Sequence, residues 1–157
     1  MSNLLVCKSF SFDFAHALDG YDGLCKNIHG HTYHLSVSIL GKISDLEKDV
    51  KIGMVVDFSI LKNIVHKRIK DVFDHSLVLN GKSERHLHYA EQLKSDFERI
   101  ILLDRQPTCE NLLLDFKQRI EKDLQENNLL LYQIKLQETP SSYAEWNIHI
   151  NEIKIPQ

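Results

Sequence analysis

The chain has 157 residues, 43 % of them hydrophobic and 26 % charged, and a net charge of -3 from 19 basic and 22 acidic side chains. At roughly 100–200 residues per domain this is one domain, residues 1–157, long enough to fold without disulfide or metal staples. The acidic balance speaks against a dedicated nucleic-acid binder, the lack of any apolar run of about 18 residues against a membrane-spanning helix, and the ordinary composition against overall disorder.

The N-terminus lacks the charged start and apolar core of a secretion signal. Cys7, Cys25 and Cys109 are odd in number and have no CxxC spacing. They read as reduced thiols of a cytoplasmic protein.

Residues 4–16 alternate, with Leu4, Val6, Phe10, Phe12 and Phe14 on one face and His16 in phase at the end. This predicts a half-buried strand. Residues 17–28, with Gly20, Asp22, Gly23 and Asn27, predict a loop. A second strand follows over 29–40, where His29, His31, Tyr33, Leu35, Val37 and Ile39 share a face and Gly41 ends it. A third short strand is expected over 50–56, after a polar hairpin connection. Asp57 is placed to cap a helix whose apolar positions Leu61, Ile64, Val65, Ile69, Val72 and Phe73 recur at helical spacing. Residues 74–80 read as a loop with apolar anchors, and 81–100 as a polar stretch with helix around 89–100. Pro107 and Thr108 open a further helix with Glu110 in its first turn and Leu113, Phe116, Ile120 and Leu124 as its buried stripe. A last strand is expected over 130–138, with Tyr132, Ile134, Leu136 and Glu138 in phase. The expected architecture is α+β, with helices on one face of an antiparallel sheet.

Three of these strands carry a polar residue at one end of an apolar face: His16, the pair His29 and His31, and Glu138. Such groups are costly to bury unless paired or ligated. In His29-Gly30-His31 the period of two points both imidazoles the same way, and Gly30 keeps the backbone slim. Two histidines on a strand are common by chance. His16 closing a second apolar face in the same phase favours a metal site with three protein ligands and an open fourth position, the pattern of catalytic zinc. Cys25, four residues before His29, is an incidental loop thiol or, beside a cation, a nucleophile or base. Asp74-His75 pairs a carboxylate with an imidazole whose tautomer it could set. His34, expected to face solvent, and His66, His86, His88 and His149 have no supporting pattern. Cys7 and Cys109 read as structural, and no Gly-rich phosphate loop is present.

The segments FDFAH (12–16), C-KNI-HGH (25–31), MVVDF (54–58), FDH (73–75) with LN (79–80), PTCEN (107–111) and QET (137–139) occur together in this order. In this, the chain resembles the 6-pyruvoyl-tetrahydropterin synthase family over residues 8–143. The three-residue gap between Cys25 and His29 is similar to the bacterial branch that makes 6-carboxytetrahydropterin for queuosine biosynthesis. The resemblance implies a tunnelling fold (T-fold): a four-stranded antiparallel sheet with two main helices on one face, trimers closing a barrel, and a hexamer of two trimers with active sites between subunits. It implies that His16, His29 and His31 are zinc ligands, that Cys25, Asp74 and His75 are catalytic, and that Glu138 holds the pterin with Thr139 beside it. Glu110 would line the site, and Asp57 would mainly cap its helix.

The implied reaction is that of a zinc-dependent lyase converting 7,8-dihydroneopterin triphosphate to 6-carboxy-5,6,7,8-tetrahydropterin, acetaldehyde and triphosphate. One Zn²⁺ per subunit is the expected cofactor, with Mg²⁺ a second candidate. The alternatives are the 6-pyruvoyl-tetrahydropterin reaction, which eliminates triphosphate and keeps the side-chain carbons, and a non-catalytic metal- or pterin-binding module. Residues 81–106 exceed the compact bacterial members and read as an insertion.

Overall fold

Alternation of Phe10, Phe12 and Phe14 with Ser9, Ser11 and Asp13 produces β1 (Asn3–His16), the first strand of the structure, a computed structural model describing residues 3–44 and 50–153. A short 3₁₀ turn (Leu24–Lys26) leads into β2 (His29–Lys42), which pairs antiparallel with β1 along its whole length. The register sets Phe12 opposite Tyr33, Phe14 opposite His31 and His16 opposite His29. Since side chains of one parity share a face, the apolar stripe of both strands ends in histidines at the same corner of the sheet.

Helix α1 (Phe58–Val65) is capped as expected, the Asp57 Oδ1 accepting from the Ser59 N–H at 2.8 Å. It continues through a π-helical stretch (His66–Lys70) and a last turn (Asp71–Phe73). Then come β3 (Leu77–Asn80), α2 (Glu84–Leu93), β4 (Ile100–Leu103), α3 (Cys109–Glu126), β5 (Leu130–Thr139) and β6 (Ser142–Asn147). Leu61, Val65, Ile69 and Phe73 from the first helical run and Leu112, Phe116, Ile120 and Leu124 from α3 bury against the apolar face of β1, β2 and β5. At the centre Phe14 stacks on Tyr33, with ring centroids 4.0 Å apart, and Phe73 meets Phe116 edge-on at 4.7 Å. Burying each of these rings is worth roughly 1.5–3 kcal/mol. No described helix is long and apolar enough to cross a membrane.

The two main helices on one sheet face are as expected, but among the described residues the sheet has six strands, not four, in the order β4-β3-β1-β2-β5-β6. It is mixed: β3 runs parallel to both β1 and β4. These two strands are four residues each, Leu-Val-Leu-Asn and Ile-Ile-Leu-Leu. Four-residue runs that are nearly all apolar show no period of two to mark them, so β3 lies within the expected loop 74–80 and β4 at the end of the expected helix. That helix is also shifted. Ser83 caps α2 by accepting from the His86 N–H, so the helix ends near residue 93 instead of starting near 89. β6 follows β5 after a tight turn in a segment where no strand was expected. The strand expected over 50–56 is absent. Its described residues 50–53 form a turn in which Gly53 takes φ +84°, a left-handed backbone that ends any strand there. Residues 45–49 of that connection lie outside the described residues.

His86, within the stretch read as polar, is buried. Its Nδ1 accepts the Asn80 N–H at 3.0 Å, which requires that nitrogen to be unprotonated. Burial lowers its pKa from 6.5, against the pull of Asp19. The unfolded chain therefore takes up this proton first, and stability is full above about pH 6.5 and lost as the pH falls below it. The melting temperature should drop between pH 7 and pH 5 more steeply for the wild type than for His86→Gln; parallel slopes would remove His86 from the acid response.

Candidate metal and substrate site

The apolar face of β1 and β2 runs out at His16, His29 and His31, whose ligating nitrogens all lie within 4.8 Å of one another. His16 is buried and the other two are half-buried. The His16 Nδ1 lies 2.7 Å from the Pro107 carbonyl oxygen, and the His29 Nδ1 lies 2.8 Å from that of Asn27. A carbonyl oxygen can only accept, so each ring carries its proton on Nδ1 and keeps the Nε2 lone pair for a cation. Backbone carbonyls orienting imidazoles in this way are the usual outer shell of a histidine metal site. Burial lowers the His16 pKa, against the Pro107 carbonyl and Glu138, and so favours the neutral, ligating form. The chemistry of this donor set therefore fits a zinc ion. Gly30 eases the packing: a Cβ there would stand 3.2 Å from the Phe14 carbonyl oxygen, a tight contact.

Glu138, at the same end of β5, closes the cluster. Its Oε1 is 3.5 Å from the His16 Nε2 and 3.9 Å from the His31 Nε2. The buried Tyr33 hydroxyl donates to the same oxygen at 2.9 Å. Burial and the Glu138 carboxylate drive the Tyr33 pKa far up, so it remains a donor. Tyr33 was expected only as an apolar core position. Its place two residues after His31, in phase on β2, is the sequence signal that links it to the site. A cleft of about 680 Å³ opens beside this cluster, lined by His31, Gln137, Glu138 and Thr139. That is an ordinary size for a small-molecule site.

A second cleft of about 520 Å³ shares His31 with the first and is lined also by Asp13, His75 and Ser76. Here the Asp74 Oδ1 accepts the Asp13 N–H at 2.9 Å and lies 3.2 Å from the His75 Nδ1. Burial raises the Asp74 pKa, but the Asp13 N–H, His75 and Lys70 outweigh it and the net shift is downward. The carboxylate is thus ionised beside the imidazole. The turn is completed by the His75 N–H donating to the Asp13 carbonyl at 2.7 Å. It puts His75 at φ +60°, a left-handed conformation costing a non-glycine residue roughly 1–2 kcal/mol. The adjacent pair does converge, with the Asp74 Oδ1 and the His75 Nδ1 3.2 Å apart.

Cys25 sits half-buried in the 3₁₀ turn, close enough to Tyr33 for a charge on its sulfur to raise the Tyr33 pKa. Among the described residues no hydrogen bond or ion pair joins it to Asp74 or His75. Its loop is held by the Leu18 N–H on the Cys25 carbonyl and by Gln106, whose side-chain amide bonds both the N–H and the carbonyl of Asp19. Thr139 lines the cleft beside Glu138, but Glu110 does not: it is exposed on the first turn of α3 and bonds to none of these groups.

The sequence model of the family described as 6-pyruvoyl tetrahydropterin synthase matches residues 5–148. The chain belongs to that family. A 6-carboxy-5,6,7,8-tetrahydropterin synthase of Haemophilus influenzae is 41% identical over 142 residues, covering 90% of this chain and 96% of that protein. The Rickettsia felis protein of the same name is 31% identical, covering 88% and 96%. Among solved structures, the fold matches an uncharacterized protein from Wolinella succinogenes with a TM-score of 0.75 at 17% identity, covering 94% of this chain and 99% of that one. It also matches 6-pyruvoyl tetrahydropterin synthase of Caenorhabditis elegans, with a TM-score of 0.63 at 21% identity, covering 94% and 96%. The chain has the T-fold, and β3 and β4 form one edge of its sheet.

Proposed function

We propose that this protein is a zinc-dependent lyase that converts 7,8-dihydroneopterin triphosphate to 6-carboxy-5,6,7,8-tetrahydropterin, acetaldehyde and triphosphate, and so supplies queuosine biosynthesis. The observation that carries the reading is the meeting of His16, His29, His31 and Glu138 at one cleft, in a family member most of whose length aligns with proteins named for that product. The three imidazoles would hold the ion, which when bound supplies positive charge to the hydroxyl oxygens of the substrate's side chain.

The chain's own groups do the rest. Glu138, oriented by Tyr33, accepts paired hydrogen bonds from the amino and ring N–H groups of the pterin. Thr139 lines the same cleft. Cys25 acts as general base and takes a proton from a side-chain carbon. Asp74, held ionised by the Asp13 N–H, keeps His75 in position to relay protons. In this reading the active sites are completed where subunits meet, in a hexamer of two stacked trimers.

The reading is tested by incubating zinc-loaded protein with 7,8-dihydroneopterin triphosphate and following triphosphate release. Glu138→Ala should retain zinc but lose at least about tenfold in pterin affinity, in keeping with about 1.5–3 kcal/mol for hydrogen bonds to a charged group. No triphosphate release by the wild type would overturn the lyase reading; equal pterin affinity in Glu138→Ala would overturn the anchoring role.

A further inference from the structure

The turn that presents Asp74 and His75 has a support outside the residues assigned so far. Arg99 lies at the end of the segment between α2 and β4, and its carbonyl accepts the Leu77 N–H at 2.8 Å, which seats it beside the start of β3. Its guanidinium spans the C-terminal end of the first helical run. The Nε donates to the Asp74 carbonyl at 2.9 Å, and Nη2 donates to the carbonyls of Asp71 at 2.7 Å and Val72 at 3.0 Å. Carbonyls at a helix end lack intrahelical partners and carry the negative end of the helix dipole, so a cation that bonds several of them is well matched. The third carbonyl belongs to Asp74 itself, one residue before the left-handed backbone of His75. Arg99 therefore grips the chain directly at the turn that carries Asp74 and His75, which the Asp13 backbone also bonds.

We infer that Arg99 is a positioning residue for the Asp74–His75 pair, acting through the three carbonyls it binds and not by touching substrate. The inference rests on the proposed catalytic roles of Asp74 and His75. A planar guanidinium can fork to several carbonyls at once, whereas an ammonium is a point charge that cannot reproduce the fork. The segment 81–106 thus does more than extend the sheet: it carries the clamp that keeps an otherwise unfavourable turn in its working geometry.

Arg99→Met and Arg99→Lys, with Asp74→Asn beside them and Lys94→Ala as a control on the same segment, test this in the zinc-loaded protein. Lys94 is exposed at the end of α2 and, among the described residues, its side chain pairs with Glu91 of that helix, so its variant should run at the wild-type rate. Arg99→Met should retain zinc and lower kcat by about 10- to 100-fold, the range seen when residues that orient a working group are removed. KM should change by less than about threefold, since no substrate contact is lost. Arg99→Lys should recover only part of kcat. In a further variant, Arg99→Ala, guanidinium ion added at millimolar concentration should raise kcat while leaving that of Asp74→Asn unchanged, a response that general loss of fold would not give. A kcat within about twofold of wild type in Arg99→Met, or in Arg99→Lys should Arg99→Met not fold, would overturn the inference, as would a loss confined to KM. Should Asp74→Asn turn over at the wild-type rate, the role of Asp74 fails and the inference with it. A slow Asp74→Asn beside a fast Arg99→Met removes the inference alone.

Discussion

Purified His29→Ala will contain almost no zinc. The loss follows from the geometry: three ligating nitrogens lie within 4.8 Å of one another, and removing one leaves two, on His16 and His31. Disturbing an outer-shell partner alone typically costs 10- to 100-fold in metal affinity, so loss of a ligand should cost more than about 100-fold. The fold should survive. His29 is half-buried at the strand's polar end, while the packing beneath it belongs to Phe14, Tyr33, Phe73 and Phe116. Metal analysis of wild type and variant side by side, with circular dichroism as the control, decides the point. A folded variant with full zinc content would mean that His29 is not a ligand.

Cys25→Ala separates the metal from the proton transfer. It should keep its zinc and its melting temperature and lose about 10²- to 10⁴-fold in kcat, the usual worth of a positioned general base. The other thiols provide the contrast. Cys109 is pushed up to about 11 by burial and donates to the Leu136 carbonyl, so it stays protonated at neutral pH. Cys7 is exposed on β1, far along the strand from His16, and Cys7→Ala should be silent. A Cys25→Ala protein turning over near the wild-type rate would strip the thiol of its role.

The parts of the fold that could be read ahead were those with one dry and one wet face. Phe10, Phe12, Phe14 and His16 on β1, with His29, His31 and Tyr33 on β2, alternate because one face packs on helices, and the same alternation placed the three imidazoles together. β3 and β4 gave no such signal, since runs of four residues that are nearly all apolar show no period of two. The candidate site divides along the same line. His16, His29, His31 and Glu138 end apolar stripes and announce themselves. Tyr33 hides its hydroxyl behind a ring that belongs to the core. Arg99 and Gln106 act on backbone groups of distant segments, and nothing local in a sequence marks such a contact. Glu110, placed near the site by the PTCEN motif, is exposed and bonded to none of its groups.

The central claim concerns a reaction, and the mass of its product tests it most directly. Zinc-loaded wild type is incubated with 7,8-dihydroneopterin triphosphate and the products are resolved by mass spectrometry. 6-Carboxy-5,6,7,8-tetrahydropterin together with acetaldehyde is the predicted result. 6-Pyruvoyl-tetrahydropterin with no acetaldehyde, or substrate recovered intact, would contradict it.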